Sequence, residues 1–190
     1  SRISPEAPSP VLLKTREAEM RGGAGNVARN IATLGGTPIL ISVVGDDDAG
    51  HQISDGMGRG ITSSVAVVPG HVTALKTRLV SGQQQILRLD DERPTPMDAD
   101  LTADICARVD AALETAQVLI LSDYGKGLLT TQVIAHAIAT ARTRDLPIVV
   151  DPKTDDLRMY AGATIVTPNA KETGLATGIT VTDDASAAAA

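Results

Sequence analysis

A glycine-rich segment at the start of a helical pattern is the strongest chemical signal in the sequence. The segment from Gly22 to Ala28 carries three glycines and Asn26. Val27, Ile31 and Leu34 then recur at helical spacing. Backbone N–H groups at such a helix start, together with the Asn26 amide, can hold a polar or anionic small molecule. The segment is not a Walker A loop, because no Lys-Ser or Lys-Thr follows its glycines. It is not a convincing dinucleotide-binding fingerprint either, because no strand immediately precedes it.

Polar clusters follow four short apolar runs. They are Gly45-Asp46-Asp47, Ser122-Asp123-Tyr124, Asp151-Pro152-Lys153 and Thr167-Pro168-Asn169. Ligands bind beyond the carboxyl ends of strands in an open parallel sheet. The ordinary polarity of loops explains one such cluster. Four clusters at the same edge of a sheet would instead line a ligand-binding site.

Three cations lie on strand candidates in the middle of the chain. Lys76 and Arg78 alternate so that both point to one face of a strand, and Arg88 lies on the next strand candidate. A guanidinium pairs well with phosphate. A solvated outer face explains the same pattern equally well.

The remaining polar residues favour structural roles. His51, His71 and His136 show no spacing that suggests zinc, and we interpret them as surface or packing residues. The acidic run 46–48 indicates a helix start rather than a cation site. The single Cys106 cannot form an internal disulfide, and its helical context predicts a buried, inert thiol.

Alternating strands and helices must position these residues. We predict strands at 11–15, 38–44, 65–68, 74–80, 86–90, 118–121, 148–150 and 164–166, and helices at 24–34, 46–57, 98–115, 131–143, 169–176 and after 182. The alternation indicates an α/β fold with a mostly parallel sheet. The strands from 65 to 90 interrupt it and predict a small accessory sheet.

Composition limits the function classes. A length of 190 residues suits one domain, with 43% hydrophobic and 21% charged residues typical of a soluble protein. The net charge of −6 argues against a nucleic-acid binder. Phe and Trp are absent and there are two Tyr. This excludes a set of aromatic side chains on which the bases of single-stranded nucleic acid could stack. With no apolar run of about 18 residues and no apolar signal-peptide core, we expect a cytoplasmic protein without membrane contact.

The spacing from Gly22 to Gly45, together with Asp123-Tyr124 and the Asn169–Glu172 segment, resembles the ribokinase-like (PfkB) sugar kinases. The resemblance covers essentially the whole chain. Within the family, several motifs are similar to the branch that phosphorylates D-glycero-β-D-manno-heptose 7-phosphate. These motifs are the opening Ser-Arg-Ile-Ser-Pro-Glu-Ala-Pro, Arg88-Leu89-Asp90, Ser122–Gly127, Asp151-Pro152-Lys153 and Thr167-Pro168-Asn169.

The resemblance implies a ribokinase-like three-layer fold with a small β lid, formed by segments at about 1–20 and 65–92, which often makes a homodimer contact. It implies ATP as co-substrate, with Mg²⁺, and transfer of the γ-phosphate to the anomeric hydroxyl. Gly22, Gly23 and Asn26 would contact sugar hydroxyls, and Asp123 would lie beside the sugar. Lys153, Asn169 and Glu172 would face the ATP phosphates, with Glu172 near Mg²⁺. Arg78 and Arg88 are candidates for the substrate 7-phosphate.

Two departures from the family pattern affect activity. The family begins with a strand whose Gly-Asp end helps to bind the sugar, and this sequence starts after it. The family also carries a Gly-Ala-Gly-Asp segment whose Asp is the general base, and residues 1–190 contain none. General-base assistance contributes about 10²- to 10⁴-fold to a rate. We therefore expect an incomplete copy of the kinase domain that holds no catalytic base and is inactive alone.

Two alternatives remain open at this point. The first is a ribokinase-like kinase for another sugar or sugar phosphate. The second is a non-catalytic module that binds a sugar phosphate, a nucleotide or a protein partner. The sequence does not decide whether a nucleotidyltransferase is fused to the kinase.

Overall fold

The structure is a computed structural model that describes residues 2–3, 10–11, 13–94 and 97–190. Its helices are α1 (Gly23–Thr33), α2 (Asp48–Ser54), α3 (Ala99–Leu113), α4 (Thr131–Thr143), α5 (Ala170–Thr177) and α6 (Asp184–Ala189), with a 3₁₀ helix at Leu157–Tyr160. Its strands are β1 (Arg2–Ile3), β2 (Pro10–Val11), β3 (Ile39–Gly45), β4 (Thr62–Val68), β5 (Leu75–Ser81), β6 (Gln84–Asp91), β7 (Leu119–Ser122), β8 (Ile148–Asp151) and β9 (Ile165–Val166).

Parallel pairing dominates the layer that carries the predicted site. Strands β7, β8 and β9 form a parallel sheet in that order, and β3 pairs in parallel with β4 from Ile39↔Thr62 to Gly45↔Val68. The predicted α/β class with a mostly parallel sheet is confirmed. One expectation is corrected: residues 65–68 do not join the accessory sheet, because β4 lies beside β3.

Strands β5 and β6 form a separate antiparallel hairpin. Its register pairs Lys76 with Asp90 and Arg78 with Arg88, so these four charged side chains share one face. The opposite face carries Leu75, Leu79, Leu87 and Leu89, which are 37% to 54% exposed. The predicted strands at 74–80 and 86–90, and the common face of Lys76 and Arg78, are confirmed.

The main core lies between the β7–β8–β9 sheet and helices α3 and α4. Ile134, Ala137 and Val150 are completely buried, and the ring of Tyr160 packs into the same cluster at 1% exposure. Although the sequence has no Phe or Trp, this core therefore includes one aromatic ring. Leu121 of β7 belongs to this cluster, so the core fixes the strand that ends at the candidate site.

Capping residues set the helix starts within two residues of the predicted ones, whereas α2 ends at Ser54, three residues before the predicted end at 57. Asp98 accepts a hydrogen bond from the N–H of Leu101 and Thr130 accepts one from Val133, each satisfying a free helix-start donor. Gly35 ends α1 with φ of +90°, the left-handed conformation that favours glycine. The expected strand at 11–15 is wrong for residues 13–15, which have no regular structure, and Leu12 lies outside the described residues.

Two of the three histidines lie beside aspartates. His136 lies 2.8 Å from Oδ1 of Asp110, joining α4 to α3, and His51 lies 2.8 Å from Oδ1 of Asp46. Cys106 is half-buried, and this burial, followed by the charge of Asp110, raises the pKa of its thiol. In the described ranges, no helix is both long and apolar enough to cross a bilayer.

Candidate active site

The start of α1 lies against the loop that follows β7. Gly22 precedes the helix in an extended conformation, and no side chain caps the helix N-terminus. Gly23 has φ of +51°, and a Cβ built on it would lie 3.6 Å from the ring of Tyr124. The start of α1 therefore lies close to Tyr124 in the loop after β7, and no side chain of the described residues occupies its N-terminal N–H groups. Asn26 lies in the first turn of α1, where its Oδ1 accepts a 3.3 Å hydrogen bond from Arg29.

Asp123 is held in one orientation by two hydrogen bonds. Its Oδ1 accepts from the N–H of Gly125 at 2.7 Å, and its Oδ2 accepts from the hydroxyl of Tyr160 at 2.6 Å. Burial, followed by the bond to Asp123, raises the pKa of Tyr160. The phenol therefore stays protonated at neutral pH and acts as the donor. This arrangement presents a positioned carboxylate at the end of the sheet, suited to accepting hydrogen bonds from hydroxyl groups.

Lys153 extends the site along the end of β8. A Cβ on Gly125 would lie 3.6 Å from Cγ of Lys153, which places the lysine beside the Asp123 loop. Its Nζ lies 3.2 Å from Oε1 of Glu172. The lysine is 55% exposed at its side chain, so its ammonium can leave this pair for a more negative partner.

Asn169 and Glu172 form a capping box at the start of α5. Oδ1 of Asn169 accepts from the N–H groups of Lys171 and Glu172, each at 3.0 Å, and Oε2 of Glu172 accepts from the N–H of Asn169. This backbone bond, followed by Lys153, lowers the pKa of Glu172. The positive end of α5 and the Lys153 ammonium thus lie together, which favours an anion.

The predicted residues consequently fall into two groups. Seven lie along one continuous edge from the start of α1, past β7 and β8, to the start of α5: Gly22, Gly23, Asn26, Asp123, Lys153, Asn169 and Glu172. We call these seven residues the strand-end arc. Arg78 and Arg88 lie instead on the hairpin, where Nε of Arg88 donates to Oδ1 of Asp90 at 2.8 Å.

The cluster after β3 has a structural explanation. Oδ1 of Asp47 accepts from the N–H of Gly50, and its Oδ2 accepts from the N–H of Thr73, both at 2.8 Å. These bonds, the Thr73 bond first, lower the pKa of Asp47. The hydroxyl of buried Thr73 accepts in turn from the N–H of Gly45. The acidic run therefore begins α2 and anchors the loop before the hairpin, as its interpretation as a helix start predicts.

The described residues do not build a closed metal site. No group of three His, Cys, Asp or Glu side chains in this part of the chain is placed to hold a metal ion. Glu172 offers one carboxylate, and both of its oxygens already have partners. Mg²⁺ commonly takes one or two carboxylates together with substrate phosphates, so a single carboxylate fits a shared role only.

A groove of about 550 Å³ between α4 and the 3₁₀ helix lies outside the strand-end arc. Ile138, Ala139 and Met159 line it together with Arg142 and Arg158, and none of the predicted site residues does. It therefore adds nothing to the chemistry of the arc.

Sequence reasoning missed three residues that make long-range polar contacts. Tyr160 lies 37 positions after its partner Asp123, Thr73 lies 26 positions after Asp47, and Glu92 follows the hairpin. No local motif surrounds Tyr160 or Thr73, and each pairing depends on tertiary contacts. The only available signal for Tyr160 is that it is one of two tyrosines in a chain without Phe or Trp.

Solved structures share this fold. Phosphofructokinase-2 from Escherichia coli, in its tetrameric inhibited form, superposes with a TM-score of 0.71 at 22% identity, covering 96% of this chain and 61% of that one. A PfkB protein from Polaromonas superposes with a TM-score of 0.67 at 21% identity, covering 92% of this chain and 65% of that one. At these identities the likeness establishes the ribokinase-like fold.

Curated relatives match at higher identity. A protein named bifunctional protein HldE from Gluconacetobacter diazotrophicus is 44% identical over 97% of this chain and 38% of its own length. The protein of that name from Azorhizobium caulinodans is 46% identical over the whole chain and 40% of its own length. The chain therefore corresponds to well under half of these longer proteins.

The match to a family profile is equally extensive. Residues 2–190 match the pfkB family carbohydrate kinase profile. The glycine-rich start of α1 and the polar strand ends of the strand-end arc lie inside this range. By sequence and by fold, this chain belongs to the pfkB family of carbohydrate kinases.

Proposed function

We propose that this chain is the kinase part of a protein that phosphorylates D-glycero-β-D-manno-heptose 7-phosphate at its anomeric hydroxyl. The γ-phosphoryl group of ATP would leave the β–γ bridging oxygen and bond to the anomeric oxygen, while the hydroxyl loses its proton. The products would be ADP and the 1,7-bisphosphate, a precursor for ADP-heptose and the lipopolysaccharide core. Family membership and relatives named bifunctional protein HldE support this proposal.

The strand-end arc is the observation that carries the proposal. Gly22, Gly23, Asn26 and Asp123 offer backbone donors, an amide and a carboxylate, which suit the hydroxyls of a sugar. At the other end, Lys153 lies beside the start of α5, which suits the phosphates of ATP. A sugar and a nucleotide bound at the two ends would meet between β7 and β8. Such positioning and charge stabilisation supply most of the catalysis in phosphoryl transfer.

Mg²⁺ would supply charge neutralisation at the transferring phosphates when it is bound with ATP. We propose that Glu172 is the residue of this chain that lies near Mg²⁺. Its carboxylate lies 3.2 Å from Nζ of Lys153 at the nucleotide end of the arc. Lys153 would hold the phosphates by its charge.

The hairpin is the proposed source of the 7-phosphate contact. Arg78 and Arg88 lie opposite each other on its charged face, so both guanidiniums are available on one side. Two guanidiniums can each donate paired hydrogen bonds to one phosphate. We therefore assign the discrimination between phosphorylated and neutral sugars to this pair.

The opposite face of the hairpin is the proposed homodimer contact. Leu75, Leu87 and Leu89 are each about half exposed there, and a two-stranded hairpin is marginally stable without a covered apolar face. Sedimentation of the chain at several concentrations tests this assignment. A monomer at all concentrations, unchanged by Leu87→Lys, would contradict it.

Kinase assays on the natural polypeptide that contains these residues test the reaction. ATP is offered with heptose 7-phosphate, the unphosphorylated heptose, fructose 6-phosphate and ribose, and products are identified by ³¹P NMR. We expect a second phosphate resonance with heptose 7-phosphate and a preference over the neutral heptose of at least roughly 100-fold. Equal rates with another sugar would favour a different kinase of the family. Binding of ATP and sugar without turnover would favour a binding module.

We further propose that residues 1–190 alone bind ligands but do not turn over, because they contain no Gly-Ala-Gly-Asp segment. Robust ATP-dependent phosphorylation by a protein of only these residues would contradict this. Because the proposed reaction consumes ATP, we place it in the cytoplasm, and cell fractionation tests that location.

A further inference from the structure

The hairpin has few attachments to the rest of the chain. Strands β5 and β6 pair only with each other among the described residues, and all of their residues are exposed. No buried apolar cluster formed by the residues that the structure describes includes a hairpin residue. Its position relative to the strand-end arc must therefore depend on a small number of polar contacts.

One carboxylate connects the hairpin to the loop after β7. Oε1 of Glu92 lies 2.6 Å from Nζ of Lys126, and its Oε2, which is shielded from solvent, lies 2.8 Å from Nζ of Lys76. Lys76 belongs to β5, Glu92 directly follows β6, and Lys126 lies three residues after Asp123. A single side chain thus joins both ends of the hairpin to the loop that carries the Asp123 carboxylate.

The surroundings of Glu92 make this contact stronger than an ordinary surface ion pair. The side chain of Glu92 is 24% exposed, and those of Lys76 and Lys126 are 34% and 46% exposed. Asp90 adds a second contact at 3.0 Å from Nζ of Lys76. Isolated exposed pairs contribute little, whereas a network with partly buried members holds its geometry better. Lys126, followed by Lys76, lowers the pKa of Glu92, so the carboxylate is charged at neutral pH.

The orientation of the hairpin gives this contact a functional consequence. Lys76, Arg78 and Arg88 occupy one face, and Glu92 ties the base of that face to the Asp123 loop. A change in the Glu92 contact would alter the distance between the two guanidiniums and the sugar end of the arc. Among the ion pairs of the described residues, only Glu92–Lys126 connects the hairpin segment to the loop after β7.

We propose that Glu92 is a positioning residue that holds the hairpin over the Asp123 loop through Lys126 and Lys76, and thereby places the cationic hairpin face for the phosphorylated end of the substrate. The structural part of this proposal rests on the ion pairs alone. The substrate part rests on the proposed function.

Distance measurements between spin labels test the structural part. Labels are attached at Gln83→Cys in the hairpin turn and Gln132→Cys on α4, in a chain carrying Cys106→Ala, and measured by double electron–electron resonance. Both label sites are exposed. In the labelled chain that keeps Glu92 and Lys126, we expect one narrow peak in the distance distribution. We expect that peak to be lost when Glu92→Gln or Lys126→Met is added. An unchanged narrow peak in both variants would overturn the proposal.

Two further variants separate positioning from general destabilisation. Lys126→Arg keeps the positive charge and should retain the narrow peak. Asp104→Asn removes an ion pair with Arg108 on α3 and should also leave the peak unchanged. Loss of the peak in Asp104→Asn would mean that any lost surface charge loosens the hairpin, which also overturns the proposal.

Kinetics on the natural polypeptide test the substrate part. Glu92→Gln should raise KM for the sugar phosphate about 10-fold while kcat stays within about threefold, because the chemistry at the anomeric carbon is untouched. Lys126→Arg, which keeps the charge opposite Glu92, should leave KM unchanged. Failure of the proposed function would appear as no turnover by the unmodified protein, and the spin-label result would still decide the structural part. Turnover with KM unaltered by Glu92→Gln would refute the substrate part.

Discussion

The hydroxyl of Tyr160 donates a 2.6 Å hydrogen bond to Oδ2 of Asp123, 37 residues earlier in the chain. The tyrosine ring lies in the main core, while the aspartate lies at the end of β7 in the candidate site. This bond links the core directly to the orientation of a site carboxylate. Substitutions at Tyr160 should therefore affect ligand binding although the residue itself is buried.

Tyr160→Phe should weaken sugar-phosphate binding roughly 10-fold, because the ring still fills the core while Asp123 loses the donor that orients it. Loss of a hydrogen bond to a charged group also costs about 1.5–3 kcal/mol of stability. Calorimetric titration and urea unfolding measure the two effects. Tyr124→Phe is the matched control, since Tyr124 is the other tyrosine and is 46% exposed. Equal effects of the two substitutions would contradict the role of Tyr160.

Lys153→Met should raise the Kd for ATP about 10-fold, because the ammonium beside the start of α5 is lost while the apolar stem is kept. Nucleotide binding can be titrated on this chain without turnover. Lys171→Met removes an equal charge from an exposed position in the first turn of α5 and is the control. If Lys171→Met weakens ATP binding as much as Lys153→Met, general charge rather than the placement of Lys153 determines the affinity.

Gly22→Ala should separate folding from ligand binding. A Cβ at this position would meet no atom within 4 Å, and the backbone is extended with φ of −96°. Because Gly22 is the N-cap of α1, where alanine is disfavoured, the free energy of unfolding should fall by only about 1 kcal/mol. If a sugar packs against this backbone, its affinity should fall at least several-fold. Unchanged affinity for the sugar phosphate would exclude Gly22 from the sugar contact.

Asp47→Asn should destabilise the fold at neutral pH by about 1 kcal/mol, because Asp47 caps α2 and also accepts from the N–H of Thr73. Since the folded-state pKa of Asp47 lies below its ordinary value, the carboxylate stabilises the fold above that ordinary value. This contribution disappears as the pH falls through the folded-state pKa. Urea unfolding from pH 7 to pH 3 should show the two proteins converging in stability. A gap that stays constant across this range would contradict the assignment.

Most of the elements could be predicted because their signals are local. Val27, Ile31 and Leu34 mark α1 by their spacing, and Asn169 with Glu172 marks the start of α5 by a capping box. The strand at 65–68 was also located correctly, but its partner was not. Nothing in the residues of a short apolar strand specifies whether it pairs with the following hairpin or in parallel with β3.

The sequence by itself determined the α/β alternation, the strand-end polar clusters and the membership of a kinase family, since helical period, strand length and motif order are all properties of neighbouring residues. Tertiary structure alone decided that Tyr160 orients Asp123, that Thr73 anchors Asp47, and that Glu92 joins Lys76 to Lys126. These contacts form between residues 16 to 37 positions apart and depend on how sheet, core and hairpin pack. Chain folding, rather than any local pattern, brings their charges and donors within bonding distance.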